Sequence, residues 1–266
     1  MKMKAGADSR AMQVPEVPIA HSSHRVVDPA KPPRELSGLA WGVFVSLGLL
    51  ALVAVGRLVS ALDLHSAAAG EGDVLGAYHT YSTWVGIDTL AVLVSAGVFI
   101  AWFFIAYENL RRLGVQNMRF GNGWAIGAWF IPFFNWVRPK QIANDIWRGS
   151  ERGVEVSSQW QQVEVPSLVH WWWGLFLAQG IAAYAGQQTT RSGYHDATSL
   201  SNALSQIESG AVIDVLAQLI AIAGVVLAIV VVSRVTERLD EIRNESLAAV
   251  PTDPSAPFGT VPAIDQ

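Results

Sequence analysis

Four uninterrupted apolar blocks, residues 39–59, 89–106, 167–186 and 212–232, constrain this chain more than anything else in it. A helix rises about 1.5 Å per residue and a hydrocarbon core is about 30 Å thick, so roughly 20 apolar residues cross it. Each block is near that length. Arg57 is the single Lys or Arg found within any of them. The chain is 51% hydrophobic and 15% charged, where an ordinary soluble domain has roughly 25% charged residues. The expected fold is therefore an all-α membrane protein with four transmembrane helices.

The basic residues predict an orientation. Lys2, Lys4, Arg10, Arg25, Lys31 and Arg34 precede the first block, and Arg234, Arg238 and Arg243 follow the last. The second connection, 107–166, carries Arg111, Arg112, Arg119, Arg138, Lys140, Arg148 and Arg152. The first connection, 60–88, has no Lys or Arg, and the third, 187–211, has only Arg191. Positive charge stays on the cytoplasmic side, so four spans put both termini there. Residues 1–35, rich in proline, and 247–266 read as disordered tails flanking a transmembrane domain at 36–246. No apolar core follows the early lysines closely, so the first tail is not expected to be a cleavable signal.

A fifth aromatic stretch, 123–137, is too short to cross and has Pro132 in its middle. Crossing there would send every later basic residue to the other side. It is expected to turn back as a cytoplasmic re-entrant or interfacial helical hairpin over 123–149. Trp124, Trp129 and Trp136 suit the interfacial zone. Trp129, Phe133 and Trp136 would share a helical face if the helix survived the proline. Pro139 suits the first turn of a new helix. That helix would bury Ile142, Ile146 and Trp147 and present Lys140, Gln141, Asn144, Asp145 and Arg148 to headgroups. Beyond the fourth block, Val235, Leu239 and Ile242 predict a helical extension that packs on the 139–149 helix or on a second copy.

The stretches "AWFFIAYENLRRLG", "RFGNGWAIGAWFIPFFNWVRPKQIANDIWRGS" and "PSLVHWWWGLFL" resemble the bacterial membrane family called domain of unknown function 4328. The elements that carry the likeness are Ala106, Tyr107, Asn109, Leu110, Trp129, Phe130, Pro132, Asn135, Arg138, Pro139, Trp147, Trp172 and Trp173. Its specific part runs over about 99–176, with a looser span pattern to about 234. The resemblance implies a multi-span membrane protein and supplies no reaction, ligand or partner.

Two groups of candidate residues stand out. Trp124, Trp129, Pro132, Asn135, Arg138, Pro139, Trp147 and Asn109 form a structural or ligand site at the hairpin, where Arg138 suits anionic lipid headgroups. Arg57, Asp88 and Asp214 form an outer charge cluster, placed by sequence at the outer ends of their spans, where helix dipoles would favour them. Gln179, in the third block, is expected to hydrogen-bond a neighbouring helix. The six histidines lack metal-site spacing, there is no cysteine, and neither a phosphate loop nor a nucleophile elbow occurs. No cofactor, enzymatic activity or nucleic-acid partner is expected. The leading expectation is a non-enzymatic interaction or lipid-organising module. Its partners would be the bilayer, anionic headgroups, and a second copy or another membrane protein. The alternative is a small oligomeric transporter or channel with an outer vestibule near Arg57, Asp88 and Asp214.

Overall fold

The computed structural model describes residues 31–152 and 158–249; of the tails expected at 1–35 and 247–266, residues 1–30 and 250–266 lie outside the described residues. Four long helices dominate: α1 (Ser37–Ser66), α2 (Val74–Arg112), α5 (Ser167–His195) and α6 (Leu200–Ala248). Two shorter ones, α3 (Trp124–Gly127) and α4 (Arg138–Gly149), lie in the connection between α2 and α5. No strand occurs among the described residues. The helices α1, α2 and α6 outrun their apolar blocks at both ends, and α5 does so at its C-terminal end. Residues 74–88 and 200–211, expected as connections, are helix, because a hydropathy block marks where a helix is apolar and not where its backbone stops. Termination takes specific residues. A π-helical turn, Ala67–Glu71, closes α1 with Gly70 at φ 101°. Asp73 then caps α2 by accepting from the Leu75 amide at 3.0 Å. At the far end of α2, Gly114 is at φ 80°, and the Val115 amide donates to the Leu110 carbonyl at 2.9 Å, which closes the helix as a Schellman motif.

Three helices, α1 with its π turn, α2 and α6, are long and apolar enough to cross a membrane. Less than a third of the most apolar stretch of each is buried. Leu49, Leu52, Leu90, Leu93, Leu219 and Val226 are instead exposed on the bundle's outside, the pattern of helices whose solvent is lipid. α5 is 29 residues long but carries more Gln, Thr and Gly taken together than any of the other three.

α1 packs between α2 and α6, and α5 runs along α6. The α5–α6 seam is built from Ala183, Gly186, Thr190 and Gly193. A Cβ on Gly186 would come within 3.0 Å of the Gly210 carbonyl, and one on Gly210 within 2.6 Å of the Thr190 amide. Only glycine permits this approach. The lower part of α6 behaves as expected: Val235, Leu239 and Ile242 are buried, and the Arg238 guanidinium lies 4.6 Å from the Trp147 ring of α4.

The chain just before α1 is also tied down. The Asn109 side chain accepts from the Arg34 amide at 2.9 Å and donates to its carbonyl at 2.6 Å. Asp240 of α6 accepts the Leu36 and Ser37 amides at 3.0 and 3.1 Å, which caps α1 from a neighbouring helix.

Candidate functional site: a charged triad beside a lateral groove

Arg57, Asp88 and Asp214 come from three different helices and meet inside the bundle. Arg57 Nε and Nη2 donate to Asp214 Oδ2 and Oδ1 at 2.9 and 2.5 Å, a fork-to-fork pair, and Nη1 donates to Asp88 Oδ2 at 2.5 Å. Arg57 is 1% exposed, Asp214 0% and Asp88 7%, so solvent screening is slight. The sequence placed these residues at helix ends. In the structure they lie two turns or more inside α1, α2 and α6, out of reach of the dipole effect, which fades within one turn. They separate two apolar clusters. Ala61, Leu64, Tyr81, Ile207 and Ala211 lie on one side, and the larger core, from Val43 and Trp102 to Val232, lies on the other. Arg57 and Asp214 are enclosed and do not line an open mouth. Beside Arg57, Gly56 lies against the six-membered ring of Trp84, which fills the space that a Cβ would need.

Asp88 also borders a second feature. A cavity of about 270 Å³ lies between α2 and α5, backed by α1 and α6. Its walls are mostly apolar, with Leu47, Val92, Phe99, Trp172, Leu175 and Phe176 among them. Its polar groups are few: Asp88, Ser95, Gln179, Gln218 and Trp129. Ser95 Oγ is committed to the Ser46 carbonyl at 3.1 Å. Gln218 is 1% exposed, lies next to Asp214, and its Nε2 has no acceptor in hydrogen-bonding geometry. Gln179, expected to bond a neighbouring helix, lines the cavity instead.

The two walls meet at their ends. Tyr78 of α2 stacks on Tyr194 of α5 at 3.8 Å, and Phe99 meets Trp172 at 5.9 Å. Trp129 closes that second end, with its ring edge-on to Phe99, Phe103, Trp173 and Phe176. Between these aromatic ends the helices stand apart, leaving a groove that opens sideways. Along α2 it runs from Asp88 to Phe99, about 16 Å of helix.

The hairpin residues divide by role. The helix does not survive Pro132: the Phe134 amide donates to the Pro132 carbonyl at 2.8 Å across Phe133, which takes φ 66°, a tight γ-type reversal. Trp129, Phe133 and Trp136 therefore do not share a face. Trp129 is packed inward, while Phe133 and Trp136 are exposed, with Phe130, Ile131 and Val137. Trp124 and the Arg138 guanidinium belong together, since Arg138 lies 4.5, 5.3 and 5.4 Å from the Phe120, Trp124 and Phe134 rings. Three aromatic faces occupy that cation. Pro139 sits in the first turn of α4, and Trp147 is buried on its inner face. Asn135 is half-buried with its Oδ1 unpartnered. Asn109 is spent on Arg34, as described above.

Sequence reasoning placed Asp145 on the polar face of α4, yet it is fully buried. Arg119 Nη2 approaches Asp145 Oδ1 to 3.1 Å, but neither carboxylate oxygen is aligned with a donor. Burial pushes its pKa up to about 6, against the opposing pull of Arg119 and Arg148. On the same helix burial lowers Lys140 to about 8, and Arg148 adds to that. Asp145 and the lone amide of Gln218 gave no signal in sequence, since one polar residue per helical turn looks like a solvated face.

No curated protein and no solved structure matches this chain. One family does, over residues 62–237, a stretch that takes in Asp88, Asp214, the hairpin and both the α2 and α5 walls of the groove, and starts five residues after Arg57. That stretch is well over half of the chain, and the protein belongs to the family called domain of unknown function (DUF4328).

Proposed function

We propose that the protein is a four-span inner-membrane protein whose lateral groove takes up a hydrophobic chain from the surrounding bilayer. It is a lipid-binding, lipid-organising module and not a catalyst. The groove carries this reading: a mostly apolar cavity between α2 and α5, open sideways where α2 exposes Leu90 and Leu93 and α5 exposes Phe176 and Ile181 to their surroundings. A water-facing slot would not be so lined, and an apolar slot facing lipid fills with lipid. α5 counts as the fourth span because it runs back along α6 through glycine contacts and so shares α6's bilayer. Both termini are cytoplasmic on the charge asymmetry between the connections. The exposed apolar tip at 130–137 then dips into the cytoplasmic leaflet, anchored by Phe130, Phe133 and Trp136. The enclosed triad gives no open vestibule in support of a transporter.

The test is lipid retention. The protein purified from membranes should carry bound lipid, seen by native mass spectrometry. Ala221→Trp, which fills the groove from α6, should strip that lipid while leaving the fold intact. Equal retention by the folded variant would discard the groove as the binding site.

A further inference from the structure

We infer that the groove is selective for an amphiphile with a cationic, amine-bearing head, held at Asp88. The inference rests on the groove reading and adds the chemistry of its polar end.

The first observation is a charge imbalance. One guanidinium and two carboxylates meet in the triad, which leaves one formal negative charge in excess inside the bundle. Arg57 uses Nε, Nη1 and Nη2 on the pair, and Asp214 uses both oxygens on Arg57 while fully enclosed. The excess charge therefore falls to Asp88, which gives Oδ2 to Arg57 and itself forms part of the cavity wall. An uncompensated carboxylate in an apolar cavity is costly unless a donor or a cation meets it.

The second observation is independent of charge. Gln218 is 1% exposed, lies on the same cavity wall and reaches towards Asp214, where its Nε2 finds no acceptor in full hydrogen-bond alignment. Gln179 brings a second carboxamide to the cavity from α5. A buried donor without an acceptor awaits one. A protonated amine with an oxygen on its neighbouring carbon satisfies both sides, the N–H groups donating to Asp88 and the oxygen accepting from Gln218. The chain then runs along Phe99, Trp172 and Phe176 towards Trp129. An anionic head would meet Asp88 as like charge. Phosphate or carboxylate amphiphiles are thus rejected at the same position.

The probes are hexadecylamine, hexadecanol and hexadecanoate, matched in chain and different in head. Each is titrated into the full-length protein in phosphatidylcholine nanodiscs, and bound ligand is counted by native mass spectrometry. The amine should bind about ten- to a hundredfold tighter than the alcohol, the weight of one charge-assisted hydrogen bond. The carboxylate should bind weakest. Asp88→Asn should bring the amine down to the level of the alcohol. Equal binding of amine and alcohol by the wild type overturns the inference and leaves the groove reading standing. So does an amine preference that survives Asp88→Asn. Should that variant not fold, the wild-type ranking of the three heads decides alone. Failure of all three probes to bind, or unchanged binding by folded Ala221→Trp, sinks the groove itself.

Discussion

The triad makes a ranked prediction about stability. Asp214 holds Arg57 through two hydrogen bonds and is fully enclosed, whereas Asp88 holds it through one and borders the groove. Replacing Arg57 by methionine strands two carboxylates in the interior. Removing one partner of a buried pair costs about 3–5 kcal/mol, and here two charges are orphaned at once. Arg57→Met should thus be the most damaging of the single changes. Asp214→Asn breaks the fork and leaves Nε and Nη2 against a neutral amide, for about 3 kcal/mol. Asp88→Asn loses one charge-assisted bond of about 1.5–3 kcal/mol but removes the excess negative charge, so the two effects offset to about 1 kcal/mol. Combining Arg57→Met with Asp88→Leu and Asp214→Leu should recover most of the loss, since well-packed apolar side chains substitute for buried ion networks. The assay is unfolding by sodium dodecyl sulfate titrated into mild-detergent micelles, read by tryptophan fluorescence. Asp88→Asn proving as harmful as Arg57→Met, or the triple variant proving worse than every single one, would refute the reasoning.

Other predictions concern the α5–α6 seam, α4 and the chain ahead of α1. Gly210→Leu must displace backbone at Thr190 and Gly186, so it should loosen α5 from α6 and cost about 3 kcal/mol or more in the same titration, while Gly174→Ala, which meets nothing, should be close to neutral. Asp145 has its folded pKa raised from 3.8 to about 6, so the folded state holds its proton more tightly than the unfolded state. The resulting stability is fully present below 3.8 and lost as pH rises through about 6. Between about pH 7 and about pH 5 the wild type should gain about 1 kcal/mol relative to Asp145→Asn, measured by parallel unfolding at the two pH values. Asn109→Ala removes two hydrogen bonds to Arg34 and should lower stability by about 1–3 kcal/mol and speed proteolysis just ahead of α1.

Much of the helical layout is legible in the residues, because apolar blocks and breaker residues act locally. α4 is the clearest case: Pro139 opens it, and Ile142, Ile146 and Trp147 are spaced for one buried face. Arg57, Asp88 and Asp214 could be singled out because charges are rare in apolar blocks. Their depth could not, since it depends on how far polar residues continue a helix beyond the block, as at 74–88. The broken face at Phe133 turns on a single backbone reversal that Pro132 permits but does not specify. Asp145 hides among polar neighbours one turn away. The groove has no sequence signature at all, because it comes from α2 and α5 meeting through Tyr78, Tyr194, Phe99 and Trp172 and standing apart in between. A gap is a property of the packing and not of any residue.

The groove's opening to lipid can be measured directly in this cysteine-free chain. Nitroxides placed one at a time through Val92→Cys and Gln179→Cys, in reconstituted bilayers, are tested for collision with dissolved oxygen and with a water-soluble nickel chelate. High oxygen access with little nickel access at both sites, against low access to either reagent at Val232→Cys in the core, is the predicted result. Protection from both reagents at Val92 and Gln179 would mean that α2 and α5 pack together, and nickel access would mean a water-filled mouth. Either result would contradict a lateral, lipid-filled groove.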